Sequence, residues 1–242
     1  MKKVISFSLW GDASRYTIGA LKNADIAKDV YPDFECWFYI HKDSVPGHIV
    51  EELSGKDNVR VIIRGGDLGN CKPMTWRFEA IDEPDVEVMM SRDTDTRIFP
   101  REVLAVREWL ESGKKFHIMR DHPHHNFLIL GGMFGTRKID GFIWKENLEK
   151  VIQNDPRNYD QIFLKDVIYP LVRNDCVIHA SFFKSENVIC GYPFNFEGPE
   201  TESREFPIPY CENFRHVGEY VYEDESRSQS HINDLRAAVL KN

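Results

Sequence analysis

Strand-like and helix-like segments alternate along the first 119 residues of this chain, and that order constrains the fold more than any single motif. Short apolar runs at residues 4–9, 34–40 (FECWFYI), 59–63, 86–90 and 116–119 read as strands. Helical spacing fills the gaps. Ser14 is placed to cap a helix whose Ala20, Leu21, Ala24, Ala27 and Val30 share one face, with Pro32 just beyond. Residues 45–53 and 74–81 read as short helices. Pro100 opens another, with Val103, Val106, Trp109 and Leu110 on its apolar side and Gly113 as its stop. This alternation predicts an α/β fold, a Rossmann-like, mostly parallel sheet with helices on both faces.

Beyond residue 119 the pattern loosens. Gly131, Gly132 and Gly135 mark a turn-rich segment, 158–172 reads as helix, 177–183 as strand and 232–240 as a last helix. From about Pro193 periodicity fades, and the polar stretch 219–230 reads as loosely held. The expected organisation is one domain over 1–192, with an extension over 193–242 packed on or trailing from it.

Composition removes several function classes. The net charge is −8 and the pI about 5.6, the wrong field for a nucleic-acid partner. Cys36, Cys71, Cys176, Cys190 and Cys211 are odd in number and form no C-x-x-C pair, so they read as reduced, buried thiols of a cytoplasmic protein. MKKVISFSLWGDASR carries too short an apolar run for a secretory leader and reads as a first strand. No stretch approaches the 18 apolar residues or so of a membrane-spanning helix.

The strongest chemical feature is SRDTDTR, residues 91–97, where Asp93 and Asp95 directly follow a strand. In an open parallel sheet, ligands sit beyond the carboxyl ends of the strands. Two hard carboxylates there suit Mg²⁺ or Mn²⁺, with Arg92 and Arg97 to balance charge or reach a phosphate. Solvated loop carboxylates are the plain alternative. RDHPHHNFLILGGMFGTR follows at 120–137. Its His122, His124 and His125 have a spacing open to zinc, but no carboxylate or cysteine framework accompanies them, and short His runs are usually surface loops. Asp121, at a strand end, is the better candidate for a polar role in a site. Gly131 and Gly132 allow close backbone approach to a ligand, or make a simple turn. Asp160 and Gln161 precede an apolar helix, where the carboxylate also suits an N-cap. His179 on a strand reads as a core or edge histidine. Of the five tryptophans, Trp10 alone falls where a strand opens into a loop.

Taken together, FSLWG, MTWRF, SRDTDTR, REVLAVREWLESGKKFHIMRDHP, GGMFG, YDQIFLKDVIYP and HASFF resemble a glycosyltransferase family of GT-A type. Small glycosyltransferases of large algal viruses that build capsid-protein glycans, and similar bacterial proteins, are its relatives. The resemblance runs from residue 4 to about 185. It implies a nucleotide-diphosphate sugar donor, a UDP-sugar by preference, Mn²⁺ or Mg²⁺, and a glycan or glycoprotein acceptor. It places Asp93, Asp95 and His179 at the metal. Ser8, Leu9, Trp10 and Gly11, with Tyr16, would hold base and ribose. Arg77, Arg92, Asp93 and Thr94 would face the nucleotide, and His122, Gly132 and Met133 the sugar and acceptor. Asp160 and Gln161 resemble the D-Q of retaining members, near the anomeric centre. Asp121 or Asp160 would be the catalytic carboxylate. One departure is Ala180, where the family pattern expects an acidic residue after the histidine. A metal-dependent phosphohydrolase of small phosphate esters and a non-catalytic nucleotide-sugar binder are the rival readings.

Overall fold

Eight residues, Lys2–Leu9, form β1, an interior strand of a seven-stranded sheet. The computed structural model describes residues 1–66, 68–152, 159–189 and 201–241, without the side chains of 69–71, 152, 159 and 187. The chain runs on through α1 (Ser14–Val30), β2 (Phe34–His41), α2 (Gly47–Ser54), β3 (Val59–Arg64), a 3-10 helix (Gly69–Asp82), β4 (Val86–Ser91), α3 (Pro100–Ser112), β5 (Phe116–Arg120) and β6 (Phe134–Arg137). Then come α4 (Trp144–Ile152), α5 (Tyr159–Phe163), a π-turn (Leu164–Ile168), α6 (Tyr169–Val172), β7 (Cys176–Ala180) and α7 (Gln229–Val239).

The strand order is β3-β2-β1-β4-β6-β5-β7, parallel throughout except for β6, which runs antiparallel to both neighbours. The fold is therefore the expected α/β arrangement, a mostly parallel mixed sheet covered on both faces. Side chains alternate across it as strand geometry requires. Val4, Trp37 and Tyr39 enter one core with Phe78, Phe134 and Trp144. Ile5, Phe7, Cys36 and Phe38 enter the other with Ala20, Ala24 and Trp109. Phe7 and Phe38, paired in register, stack with centroids 4.6 Å apart. Trp37, Trp109 and Trp144 are fully buried.

Several expectations are corrected. Residues 74–81 lie in the 3-10 helix, which contains Pro73, a residue with no N–H for an α-helical ladder. The turn-rich glycine segment contains a strand, β6. Ser14 is the first helical residue, not the cap; Ala13 takes the cap position, and no side chain caps the helix. The strand expected over 177–183 ends at Ala180. Residues 219–230 are tied down: Tyr220 bridges Thr96, the Val221 N–H donates to the Asp95 carbonyl at 2.7 Å, and Arg227 pairs with Glu219 at 2.7 Å. Cys36 is buried and Cys176 half-buried, but Cys211 is exposed. The Cys71 side chain, Cys190 and the start of the 193–242 extension lie outside the described residues. Among the described residues, no helix is long and apolar enough to cross a membrane.

Helix α1 lies directly on the loop that follows β4. A Cβ on Gly19 would overlap the Thr94 carbonyl oxygen and come within 2.8 Å of Arg97 Nη1. Gly19→Ala should therefore cost about 1–3 kcal/mol through overpacking, read as a lowered urea midpoint at unchanged m-value.

Candidate functional site

A cavity of about 440 Å³ opens where the carboxyl ends of β1 and β4 lie side by side. Ser8, Leu9, Trp10, Tyr16, Met74, Arg77, Asp93, Thr94 and Asp95 line it. The loop after β1 turns at Gly11, whose φ of 77° favours glycine and whose N–H donates to Ser44 Oγ at 2.8 Å. Trp10 and Tyr16 flank that turn. Ser8 Oγ accepts the Arg77 backbone N–H at 3.1 Å, which registers the 3-10 helix against β1. The Arg77 guanidinium then reaches the Asp93 carboxylate and donates to the Arg92 carbonyl at 3.2 Å.

The loop carrying the two aspartates is held from three sides. Thr96 Oγ1 donates to the Asp93 carbonyl at 2.9 Å. Asn23, buried on α1, donates to the carbonyls of Thr94 and Thr96 at 3.2 and 2.7 Å and accepts the Ile98 N–H. Val221 closes the outer side through the Asp95 carbonyl. A Cβ on Gly132 would overlap Asp93 Oδ2, so only glycine lets the backbone pass behind that carboxylate. Behind Gly131, Arg77 Nη2 and Asp160 Oδ2 both lie within 3.0 Å of the point a Cβ would occupy. Arg77 thus sits between Asp93 and Asp160. The buried Gln161 Oε1 has no hydrogen-bond partner among the described residues.

The electrostatics are those of a crowded anionic site with few cations. Burial and the neighbouring Asp93 charge push the Asp95 carboxyl up to about 6, against the weaker pull of Arg15, 4.0 Å away. Burial raises Asp160 too, with Arg77 opposing. Hard oxygen donors with excess negative charge in a cavity fit a divalent cation of the Mg²⁺ or Mn²⁺ kind.

Gly11, Gly132, Asp160 and Gln161 do not line this cavity, and five further expected site residues are engaged elsewhere. Arg92 is turned inward, with Nε on Glu102 Oε1 at 2.6 Å and Nη1 on the Ser91 and Phe134 carbonyls. Asp121 has no exposed surface; Arg101 donates to both its oxygens at 2.9 Å, and Ser181 Oγ, Tyr210 OH and the Val217 N–H complete its shell. A carboxylate so occupied holds structure together and is not placed to act as a base. His122 is buried among other histidine rings, its Nε2 on the His231 carbonyl at 3.1 Å. Met133 packs against Gly218 and the cluster of Met119, Phe206 and Val217. His179 has both ring nitrogens engaged, one with His117 at 2.9 Å and one with Glu108 at 3.0 Å. Met74 and Asn23 were missed by sequence reasoning. The signal for Asn23 was an amide on the apolar face of α1.

No protein-family model matches the sequence, and no curated protein matches it. Solved structures do resemble its fold. A glycosyltransferase involved in glycosylation of the major capsid of PBCV-1 superposes with TM-score 0.50 at 14% identity, over 74% of this chain and 82% of that one. An active-site mutant of LgtC gives TM-score 0.48 at 13% identity, over 97% and 95%. 4-Diphosphocytidyl-2C-methyl-D-erythritol synthase from Anaerococcus prevotii gives 0.44 at 12%, over 99% of both chains. At 14% identity the likeness to the capsid glycosyltransferase is one of fold alone, a mostly parallel α/β sheet of the GT-A-like kind.

Two outcomes follow. The folded pKa of Asp95, about 6, lies above its ordinary 3.8. The folded chain therefore holds the extra proton, and stability falls as pH rises from about 4 to about 6, by an amount on the order of 2–3 kcal/mol. Asp95→Asn should raise the Tm of metal-free protein by several degrees at pH 8 and hardly at all at pH 4. Asp121→Asn should instead destabilise by roughly 3–5 kcal/mol, because it strands the buried Arg101 charge; chemical denaturation distinguishes the two.

Proposed function

We propose that this protein transfers a sugar from a nucleoside-diphosphate sugar, with a UDP-sugar favoured, to a hydroxyl of a glycan or glycoprotein acceptor. One observation carries the reading: two carboxylates, one arginine and two aromatic rings line a single cavity at the adjoining carboxyl ends of β1 and β4. At about 440 Å³ it falls within the range of roughly 300–1,000 Å³ typical of small-molecule sites. Its position at the carboxyl ends of parallel strands supports reading this cavity as the donor site. The acceptor class is the one suggested by the capsid glycosylation in which the PBCV-1 neighbour takes part.

Trp10 and Tyr16 offer flat faces for the base, and Ser8 and Leu9 line the ribose end. Asp93 and Asp95 would hold Mn²⁺ or Mg²⁺, which supplies Lewis-acid stabilisation of the charge that develops on the departing diphosphate. Arg77 neutralises Asp93 in the free protein and is placed to turn to a phosphate oxygen, a charge-assisted bond. Asp160, close behind Gly131, supports a retaining course in which a carboxylate stands by the anomeric carbon as it gains positive character. Gln161, whose buried Oε1 has no hydrogen-bond partner among the described residues, would orient sugar hydroxyls.

The test is a binding and turnover series with UDP, GDP, CDP and TDP and their sugars, each with Mn²⁺, Mg²⁺ or EDTA. UDP with Mn²⁺ at about a hundred times its Kd should stabilise by roughly 2.7 kcal/mol, and the gain should vanish with EDTA or in Asp95→Asn. Arg77→Ala should weaken diphosphate binding about 10-fold or more. A retained anomeric configuration in the product, read by NMR, supports Asp160 in its role. Phosphate release from simple esters without any nucleotide preference would overturn the transferase reading.

A further inference from the structure

Five histidine rings gather on the other side of the extension, in a cluster that the proposed transfer does not use. His122 lies with ring centroids 4.6 Å from His124, 5.7 Å from His125, 4.3 Å from His216 and 5.3 Å from His231. His124 and His231 are 5.2 Å apart. The first three belong to the turn after β5, and His231 sits in the first turn of α7.

We propose that His122, His124 and His231 form a site for Zn²⁺ or a similar borderline divalent ion, with Asp234 as the fourth ligand. One ligating atom from each of the three histidines lies within 4.8 Å of the others, the single such group among the described residues. The Asp234 carboxylate reaches to 3.3 Å of His124 Nε2. His231 and Asp234 are three positions apart on α7 and so share a face. The turn contributes an H-x-H pair and the helix an H-x-x-D pair. Three imidazoles and one carboxylate are a tetrahedral zinc set, and a nitrogen-rich one that disfavours Mg²⁺ and Mn²⁺.

The surroundings supply an outer shell. His122 Nε2 donates to the His231 carbonyl at 3.1 Å, while its Nδ1 accepts the His124 backbone N–H at 3.1 Å. Coordination through Nδ1 keeps the first bond, in which the far ring nitrogen of a ligand holds a carbonyl and fixes the ring. It gives up the second, on a half-exposed turn where water replaces it. His125 falls outside the three-histidine group, and its Nδ1 accepts the Asp121 backbone N–H at 3.1 Å. Asp234 lies beside His124 but outside the three-histidine group, so it would have to swing onto the ion; with it the site would have four protein ligands and no open position, and its role would be to clamp α7 onto the β5 turn.

Tag-free protein, stripped with chelator and then titrated with ZnCl₂, tests this by metal content, calorimetry and thermal shift, with CoCl₂ as a spectroscopic probe. One zinc per chain is expected, with a Tm rise of roughly 5–10 °C at saturating zinc, none with Mg²⁺, and visible bands of tetrahedral cobalt. His124→Ala and His231→Gln, at exposed and half-buried positions, should keep the metal-free Tm and weaken zinc binding by more than the roughly 10–100-fold typical of outer-shell changes. Asp234→Asn should weaken it less. Asp93→Ala/Asp95→Ala should bind zinc as wild type does, which separates this site from the donor cavity. No zinc uptake, uptake unchanged in both histidine variants, or uptake lost only in the double aspartate variant would each overturn the proposal.

Discussion

A single carboxylate, that of Asp121, fastens the late part of the chain to the sheet. It receives two bonds from Arg101 on α3, one from Ser181 just past β7, one from Tyr210 and one from the Val217 backbone. Burying a charge is costly unless its oxygens are all satisfied and an opposite charge lies against it. Here both conditions hold with no exposure at all. Because Val217 is fixed in this way, the next few residues run past Met133 at Gly218 and arrive at Thr96 and Asp95. The outer wall of the cavity beside Asp93 and Asp95 is thus set by a contact that lies outside it.

The cavity itself is organised against its own stability. Asp93 and Asp95 repel each other, and the cations nearest them are shared: Arg77 lies between Asp93 and Asp160, and Arg15 stands 4.0 Å from Asp95. What holds the loop is backbone bonding from Asn23, Thr96 and Val221, with Arg77 on the Asp93 carboxylate. A cation entering such a site relieves repulsion that the fold has already stored, so part of its affinity comes from the free protein's discomfort.

How much of this was legible in the sequence varies with how local each feature is. Asp93, Asp95 and the β1 loop were readable because a strand end in a parallel sheet is itself an address. The same rule misled for Asp121 and Arg92. Both follow strands, but their side chains are claimed by partners that only packing reveals: Glu102 for Arg92, and Arg101, Tyr210 and Val217 for Asp121. β6 was invisible because four residues next to glycines carry no period of their own; its place between β4 and β5 makes it a strand. The histidine run at 122–125 looked incomplete because its missing member stands 109 positions further on.

That long-range closure bears on how the protein comes into being. Arg97, two residues past the aspartate pair, bonds Glu225 at a separation of 128 residues. At ribosomal speeds of about 5–20 residues per second, the aspartate loop waits on the order of ten seconds for its covering segment. During that interval a nascent chain holds β1 to β4 already able to pair, yet carries a raw, half-walled acidic loop at its edge. The sheet itself closes earlier in synthesis, once β6 slots in between β4 and β5. Non-local pairings like that of Arg97 with Glu225 slow folding. The cavity beside Asp93 and Asp95 is therefore among the last features to mature, and a chain interrupted before residue 216 would carry the acidic motif without its outer wall.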